Sequence, residues 1–158
     1  LGSGSGAGSR RMRMLVDANV LISAMLPPKT SGESAIRALL DGITHGDATL
    51  LVADETTVEV RGLLETKPWF VRHIPTAVAD QFFRVLWETA ELLPSLAYDA
   101  PRRCRDRKAD YLLEQAIRFR ADVFVTGDDD LLALDGTIEG LRILLPRTLL
   151  DELSAVTG

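Results

Sequence analysis

The chain has 158 residues, of which 46% are hydrophobic and 26% charged, and this composition predicts one soluble globular domain and excludes a disordered or fibrous chain. One cysteine and two histidines exclude an internal disulfide, disfavour a zinc site and suit a reducing cytoplasm, and no apolar run reaches the roughly 20 residues that span a membrane. The net charge of −5 argues against a nucleic-acid-binding protein, unless the acidic residues are concentrated in one site that a cation neutralises.

The predicted elements begin after a segment rich in glycine, serine and alanine. We interpret residues 1–11 as an expression scar or linker, and we expect a single domain over residues 12–154 with a tail at 155–158. Residues 13–16 predict an apolar strand that ends at Asp17, and a helical turn or two follows from Asn19 to Met25. Thr30 and Glu33 form a capping box that predicts the start of a second helix.

The middle of the chain alternates strands and helices. A strand is predicted at 50–53 and a helix at 54–64. Prolines then interrupt the pattern, and a helix with an aromatic stripe is predicted from about Thr76 to Leu92. Trp69 and Phe70 lie in the interruption, and we expect them to form an exposed patch that serves a homodimer or a protein partner.

The last third carries a basic cluster and two more strands. The cluster occupies a loop and the start of a helix at about 106–120, and it either binds nucleic-acid phosphates or pairs with local acids. Strands are predicted at 122–126 and 141–145, and a final helix at 147–153. Strands that alternate with helices predict a three-layer α/β/α sandwich with a central parallel sheet. The basic cluster consists of Arg102, Arg103, Arg105, Arg107 and Lys108.

Two aspartates follow predicted strands. Asp17 comes directly after the first strand, and Asp128 lies just beyond the strand at 122–126. A single aspartate in such a place is usually a helix N-cap. In an open parallel sheet, however, ligands bind in the crevice outside the carboxyl ends of the strands, so two such aspartates favour a shared site.

Three further acids border the buried faces of predicted helices. On the helical wheel Glu59 lies about 40° from Leu63, and Asp110 lies about 20° from Ile117. Asp106, four residues before Asp110, falls on the same side if the helix extends back that far. Carboxylates at the margin of a core cost several kcal/mol unless they are paired or bound to metal, so each of them either pairs with an arginine or joins a metal site.

Five acids at one sheet edge would repel one another without a cation. Hard oxygen ligands with no cysteine or histidine favour Mg²⁺ or Mn²⁺. We also expect at least one carboxylate of the group to have a raised pKa. Such a site suits the attack of metal-activated water on a phosphodiester. The candidate residues are Asp17, Glu59, Asp106, Asp110 and Asp128.

Four segments place the candidate acids in a recognisable order and spacing. They are Met14-Leu15-Val16-Asp17-Ala18-Asn19-Val20-Leu21, the helix Val58-Glu59-Val60-Arg61-Gly62-Leu63-Leu64, the run Cys104-Arg105-Asp106-Arg107-Lys108-Ala109-Asp110, and Val125-Thr126-Gly127-Asp128-Asp129-Asp130-Leu131-Leu132. Together these segments resemble the motifs of PIN-domain ribonucleases. The resemblance covers about residues 13–152 and implies a PIN-like fold and a Mg²⁺- or Mn²⁺-dependent endoribonuclease. It implies that the metal is bound by Asp17, Glu59, Asp110 and Asp128. Asp106 would be an additional catalytic acid, and Asn19 and Thr126 would orient the ligands.

The resemblance also implies partners. Many PIN-domain proteins are toxins of toxin–antitoxin pairs, so we expect an RNA substrate and an antitoxin that inhibits the protein. One departure concerns the third acidic segment, which in the family often reads Arg-Asp-Pro followed by two adjacent aspartates. Here Arg107 replaces the proline and Ala109 replaces one aspartate, while the candidate acids Asp106 and Asp110 are retained, so the departure concerns the metal geometry at this segment.

Two alternative functions fit parts of the sequence. A haloacid-dehalogenase-like phosphatase also begins with an aspartate after its first strand, but it needs a second aspartate at the position of Asn19 and another near Leu132 and Ala133. A catalytically silent PIN-like module would bind RNA or a protein partner without cleavage. Retention of the acidic residues favours the enzyme over the silent module.

Overall fold

The computed structural model describes residues 11–26, 41, 46 and 48–157, and the predicted capping box of Thr30 and Glu33 lies outside them. The strands are β1 (Met12–Val16), β2 (Ala48–Ala53), β3 (Glu91–Leu93), β4 (Val123–Val125) and β5 (Arg142–Leu144). The helices are α1 (Ala18–Met25), α2 (Asp54–Thr66), α3 (Pro68–His73), α4 (Thr76–Thr89), α5 (Arg107–Arg118), α6 (Asp129–Leu132) and α7 (Pro146–Thr157). Within the described ranges, none of these helices has the length and apolar character needed to cross a membrane.

The five strands form one parallel sheet in the order β3-β2-β1-β4-β5. The central strand β1 pairs on both sides, since Leu15 is opposite Leu51 of β2 and Phe124 of β4. Every pairing is parallel, so the carboxyl ends of all five strands lie at one edge of the sheet. The predicted parallel sheet is therefore confirmed.

Side chains alternate between the two faces of the sheet and form two separate cores. Met14 and Val16 of β1 belong to one core, whereas Leu15 between them belongs to the other. The first core also contains Val60 of α2 and Phe83 of α4. The second contains buried residues of α5 and α6. Because each face of the sheet is covered by helices, the predicted three-layer α/β/α architecture is confirmed.

The main difference from the predicted elements is at the end of α4. The helix was expected to continue to Leu92, but it ends at Thr89, and Ala90 adopts an extended conformation. The next three residues form the edge strand β3, in which Leu93 is buried and pairs with Ala53. The helical spacing of apolar residues runs on past Thr89, and pairing with the sheet overrides it.

Two other boundaries differ. The interruption at Pro68 begins the short helix α3, because a proline is well tolerated in the first turn of a helix. In α3, Trp69 is 42% exposed and stacks on His73, whereas Phe70 packs against the first core. The last helix, α7, starts at Pro146 and continues to Thr157, beyond its expected end at 153.

Candidate active site

The acidic residues lie beyond the carboxyl ends of β1 and β4, the two neighbouring strands from which the sheet extends in opposite directions. From β1 the chain proceeds outward to β2 and β3, and it then returns to β4 on the other side of β1. The helices that follow β1 and β4 therefore diverge and leave a crevice beyond these two strand ends, which is the usual place for a ligand in this type of sheet.

A pocket of about 110 Å³ occupies this crevice, and four of the five candidate acids line it. Asp17 and Asp128 come from the ends of β1 and β4, Asp106 from the N-terminus of α5, and Glu59 from α2. Asn19, Lys108 and Ala109 also belong to the lining. We call this space the acidic pocket.

Asp17 is the most firmly held of the four acids. This residue is 9% exposed, and its carboxylate accepts hydrogen bonds from the Val20 amide at 3.0 Å and from the Thr126 hydroxyl at 2.5 Å. The Thr126 hydroxyl oxygen in turn accepts from the Asp128 amide at 3.0 Å. The expected orienting role of Thr126 thus has a structural basis, because this residue connects the end of β1 with the end of β4.

The environment of Asp17 raises the pKa of its carboxyl group. Burial is the main cause, and the negative charge of Asp128 adds to it, while the hydrogen bonds from Thr126 and Val20 act in the opposite direction. A raised pKa for one member of the group is confirmed. The principal cause, however, is desolvation, and repulsion between acids contributes less than was expected.

The other acids of the pocket are more exposed. Asp128 caps α6 through Oδ1, which accepts from the amides of Asp130 and Leu131. Asp106 caps α5 through Oδ1, which accepts from the Lys108 amide. Glu59 extends from α2, one residue before the buried Val60. Each of these carboxylates is placed by a helix and faces solvent.

The fifth candidate, Asp110, does not line the acidic pocket. Its side chain is completely buried, and it accepts hydrogen bonds from the amides of Arg103 and Cys104 at 2.8 and 2.6 Å and from Arg107 at 3.0 Å. Burial would raise its pKa, but these donors outweigh burial and the pKa is lowered. Asp110 holds the loop before α5 in place, and its expected role as a metal ligand stays a prediction that this geometry does not favour.

The residue of α5 that faces the acidic pocket next to Asp106 is Ala109. It is 4% exposed and also belongs to the second core. A carboxylate at this position would point toward the other acids, whereas Asp110, one residue on, is turned away by about 100° of helix. The departure noted at Ala109 therefore removes an acid from the site itself.

Most of the basic cluster pairs with local acids. Arg103 pairs with Glu114, Arg105 with Asp130 and Arg107 with Asp110. Lys108 differs from them because it lines the acidic pocket. Sequence reasoning missed this distinction within the cluster. The helical wheel could have revealed it, because Lys108 and Leu112 are four residues apart on one face of α5 and both line the pocket.

The side chains that line the pocket carry the kind of oxygen ligands that a hard divalent cation prefers. Four carboxylates and no sulfur or imidazole group line it, which is the ligand chemistry of Mg²⁺ and Mn²⁺. Among the residues that the structure describes, no three acidic, histidine or cysteine side chains already lie together as a metal-binding group. The acids thus surround an open pocket, and Asp17, Glu59, Asp106 and Asp128 are those that would hold the ion.

Comparison with known proteins agrees with the fold. No curated protein matches the chain. The crystal structure of PAE2754 from Pyrobaculum aerophilum matches with a TM-score of 0.60 and 22% sequence identity, over 96% of this chain and 94% of that one, which supports the fold. A family model for the PIN domain matches residues 13–130, a range that includes every candidate acid. The chain belongs to the PIN-domain family.

Proposed function

We propose that this protein is a metal-dependent endoribonuclease that hydrolyses RNA phosphodiester bonds at the acidic pocket. The observation that carries the proposal is the convergence of four acids on one pocket beyond the carboxyl ends of β1 and β4. These acids are Asp17, Glu59, Asp106 and Asp128. PIN domains are generally nucleases, and the acidic pocket supplies the donors that such chemistry requires.

The residues of the pocket would have different roles, which depend on where each of them lies. A bound Mg²⁺ or Mn²⁺ would activate water and stabilise the charge that develops on the phosphate. Asp17 offers the most rigid carboxylate, because a buried strand and two hydrogen bonds fix it. Thr126 keeps that carboxylate oriented, and Lys108 offers a positive charge to a phosphate that approaches the pocket.

We further propose that the protein acts as the toxin of a toxin–antitoxin pair, in the cytoplasm, with an antitoxin as its protein partner. This part of the proposal is supported by the family resemblance. It predicts that expression of the wild-type chain slows bacterial growth, whereas expression of Asp17→Asn does not. Normal growth with the active wild-type protein would contradict the toxin role and leave the nuclease proposal intact.

The decisive experiment compares RNA cleavage by wild type and Asp17→Asn. Mixed RNAs are incubated with Mg²⁺, Mn²⁺ or chelator, and the products are separated on a gel. We expect cleavage by the wild type with metal only, and none by Asp17→Asn, which retains the size of the side chain but loses the charge. Equal cleavage by both proteins, or cleavage in chelator, would overturn the assignment of the site.

A second candidate function is a PIN module that binds RNA without cleaving it. Two observations favour it: Ala109 stands where an acid would face the pocket, and no metal-binding group is preformed among the described residues. The same gel assay separates the two candidates, because the silent module retains RNA in a binding assay and yields no products with either metal.

A further inference from the structure

A second, larger cavity of about 540 Å³ lies between α2 and α5 and adjoins the acidic pocket. Glu59, Lys108 and Leu112 line both spaces, so the two adjoin at these side chains. The volume falls within the range of about 300–1,000 Å³ that is usual for small-ligand sites. We call it the α2–α5 cavity.

One wall of the α2–α5 cavity contains a buried polar group that lacks a partner. Gln115 is completely buried, and its Nε2 donates to the Pro94 carbonyl at 3.0 Å and to the Glu55 carboxylate at 3.2 Å. Both of these partners are acceptors, which fixes the orientation of the amide. Its Oε1 has no hydrogen-bond partner in the described part of the chain. Oε1 is shielded from the cavity, so the contribution of Gln115 to this wall is the hydrogen bond by which its Nε2 holds the Glu55 carboxylate in place.

The chemistry of the lining defines the ligand. The exposed Glu55 carboxylate offers two neighbouring acceptor oxygens, and Val58, Tyr111 and Leu112 provide apolar and aromatic walls. The ligand should therefore be flat and should carry adjacent N–H donors. Among the four RNA bases, guanine alone has two neighbouring donors on its Watson–Crick edge, the N1–H and the 2-amino group. Uracil presents one N–H between two carbonyl oxygens, which the acceptors would repel.

We infer that the α2–α5 cavity binds the base of the nucleotide next to the cleaved phosphodiester and selects guanine. The inference rests on the proposed function, since it makes the cavity the specificity site of the acidic pocket. Lys108, which lines both spaces, then lies between the bound base and the phosphate. Proteins read single-stranded RNA in this way, with an unstacked base in a pocket and hydrogen bonds to its Watson–Crick edge.

The test measures mononucleotide binding to the wild-type protein in chelator, where no cleavage can interfere. GMP, IMP and UMP are titrated and followed by the amide resonances of α2 and α5 and the side-chain amide of Gln115. We expect GMP to bind at least about tenfold more tightly than IMP or UMP, because a bidentate contact discriminates by about that factor. IMP is the sharpest comparison, since it lacks only the 2-amino group.

Variants assign the selectivity to named residues. Glu55→Gln should reduce the preference for GMP over IMP to less than about threefold, about a third of the wild-type preference. Glu65→Gln, an exposed change on the same helix outside the cavity, should leave the preference unchanged. Gln115→Met should also reduce the preference, because it removes the amide that holds the Glu55 carboxylate, and Glu55→Gln still tests the inference if this buried substitution prevents folding.

Equal shifts with all three nucleotides would mean a contact with phosphate only and would overturn the inference. An absence of shifts in α2 and α5 would also overturn it. If the protein binds GMP selectively but cleaves no RNA, the proposed nuclease activity is contradicted and the proposed guanine site is retained. Cleavage without selectivity would contradict the base site alone.

Discussion

Asp17 and Asp110 are both buried aspartates, yet their surroundings shift their pKa values in opposite directions. The Asp17 carboxylate accepts two hydrogen bonds, but desolvation outweighs them and raises its pKa. The Asp110 carboxylate accepts hydrogen bonds from two backbone amides and from Arg107, and these bonds outweigh desolvation and lower its pKa. A carboxylate that is costly to ionise is one that a cation would stabilise, whereas a carboxylate with satisfied oxygens already serves the fold.

The raised pKa of Asp17 predicts that its charge destabilises the metal-free fold. The folded state holds the proton more tightly than the unfolded chain, so stability falls as pH rises from the ordinary aspartate range through the raised pKa. Asp17→Asn should therefore melt at a higher temperature than the wild type in chelator at about pH 7, and the difference should shrink toward about pH 4. Thermal melts at both pH values test this. Asp129→Asn, at an exposed aspartate, is the control, and a lower melting temperature for Asp17→Asn would contradict the prediction.

Asp110→Asn should lower the free energy of unfolding by about 1–3 kcal/mol at about pH 7, because the ion pair with Arg107 is lost in a buried position. The pKa of Asp110 is lowered, so its contribution is present above the unfolded pKa and disappears as pH falls through the folded value. Urea denaturation at about pH 7 and about pH 3 measures the change. The shift of the melting temperature on adding Mn²⁺ should stay at the wild-type value. A smaller shift would restore Asp110 as a metal ligand.

Lys108→Ala should weaken RNA binding and reduce the slope of log affinity against log salt by about one, because one phosphate contact is removed. Arg105→Ala is the matched comparison. Arg105 is 89% exposed on its side chain and pairs with Asp130, so its loss should change the slope less. Fluorescence anisotropy with a labelled RNA at several salt concentrations provides the slopes. A larger effect for Arg105→Ala would place the phosphate outside the acidic pocket.

At the scale of elements, helix α5 shows what the sequence could and could not predict. The sequence predicted a helix at about 106–120, and Leu113 and Ala116 lie on its buried face. Asp106 was expected near the start of this helix, where it caps the helix. The wheel also placed Asp110 near the buried face, which is true. The helical wheel could not predict that the Asp110 carboxylate accepts hydrogen bonds from the amides of residues 103 and 104, because the wheel carries no information on the path of the loop before the helix.

Edge strand β3 was missed for a related reason. Three residues with no alternating pattern carry almost no strand signal, and here they continue the spacing of α4. The strand is fixed by contacts that are distant in sequence, among them the ion pair of Glu91 with Arg13 of β1. The same holds for the α2–α5 cavity, since Gln115 gives no sign in the sequence of being buried without a full set of partners.

Position 109 of α5 is where a further carboxylate could join the acidic pocket. Ala109→Asp would add that carboxylate at a buried position, so it should destabilise the protein in chelator. It should also bind Mn²⁺ at least about tenfold more tightly than the wild type, since charged ligand count governs affinity for hard cations. Calorimetry measures the affinity. Ala109→Asn is the control of equal size without the charge, and equal affinities for both variants would show that position 109 does not reach the ion.

At the scale of the whole molecule, the fold was predictable because one simple rule governs it. Strands alternating with helices require a parallel sheet with both faces covered, and the two cores follow from the alternation of residues such as Met14 and Leu15. The sequence also predicted that Asp17 and Asp128 lie at one edge of the sheet, and they do so because β1 and β4 are neighbours. The complete strand order could not be predicted, because the pattern of apolar residues within a strand does not specify which strands lie beside it.

The hydrogen bond between Asp17 and Thr126 joins residues 109 positions apart. During synthesis, a growing chain acquires the first acid of the pocket early and the last one, Asp128, only after most of the domain has been made. No N-terminal fragment that ends before Asp128 contains the complete pocket, however well its first strands fold. The proposed ribonuclease would therefore become able to cut the messenger RNA that encodes it only when translation of the domain is nearly finished.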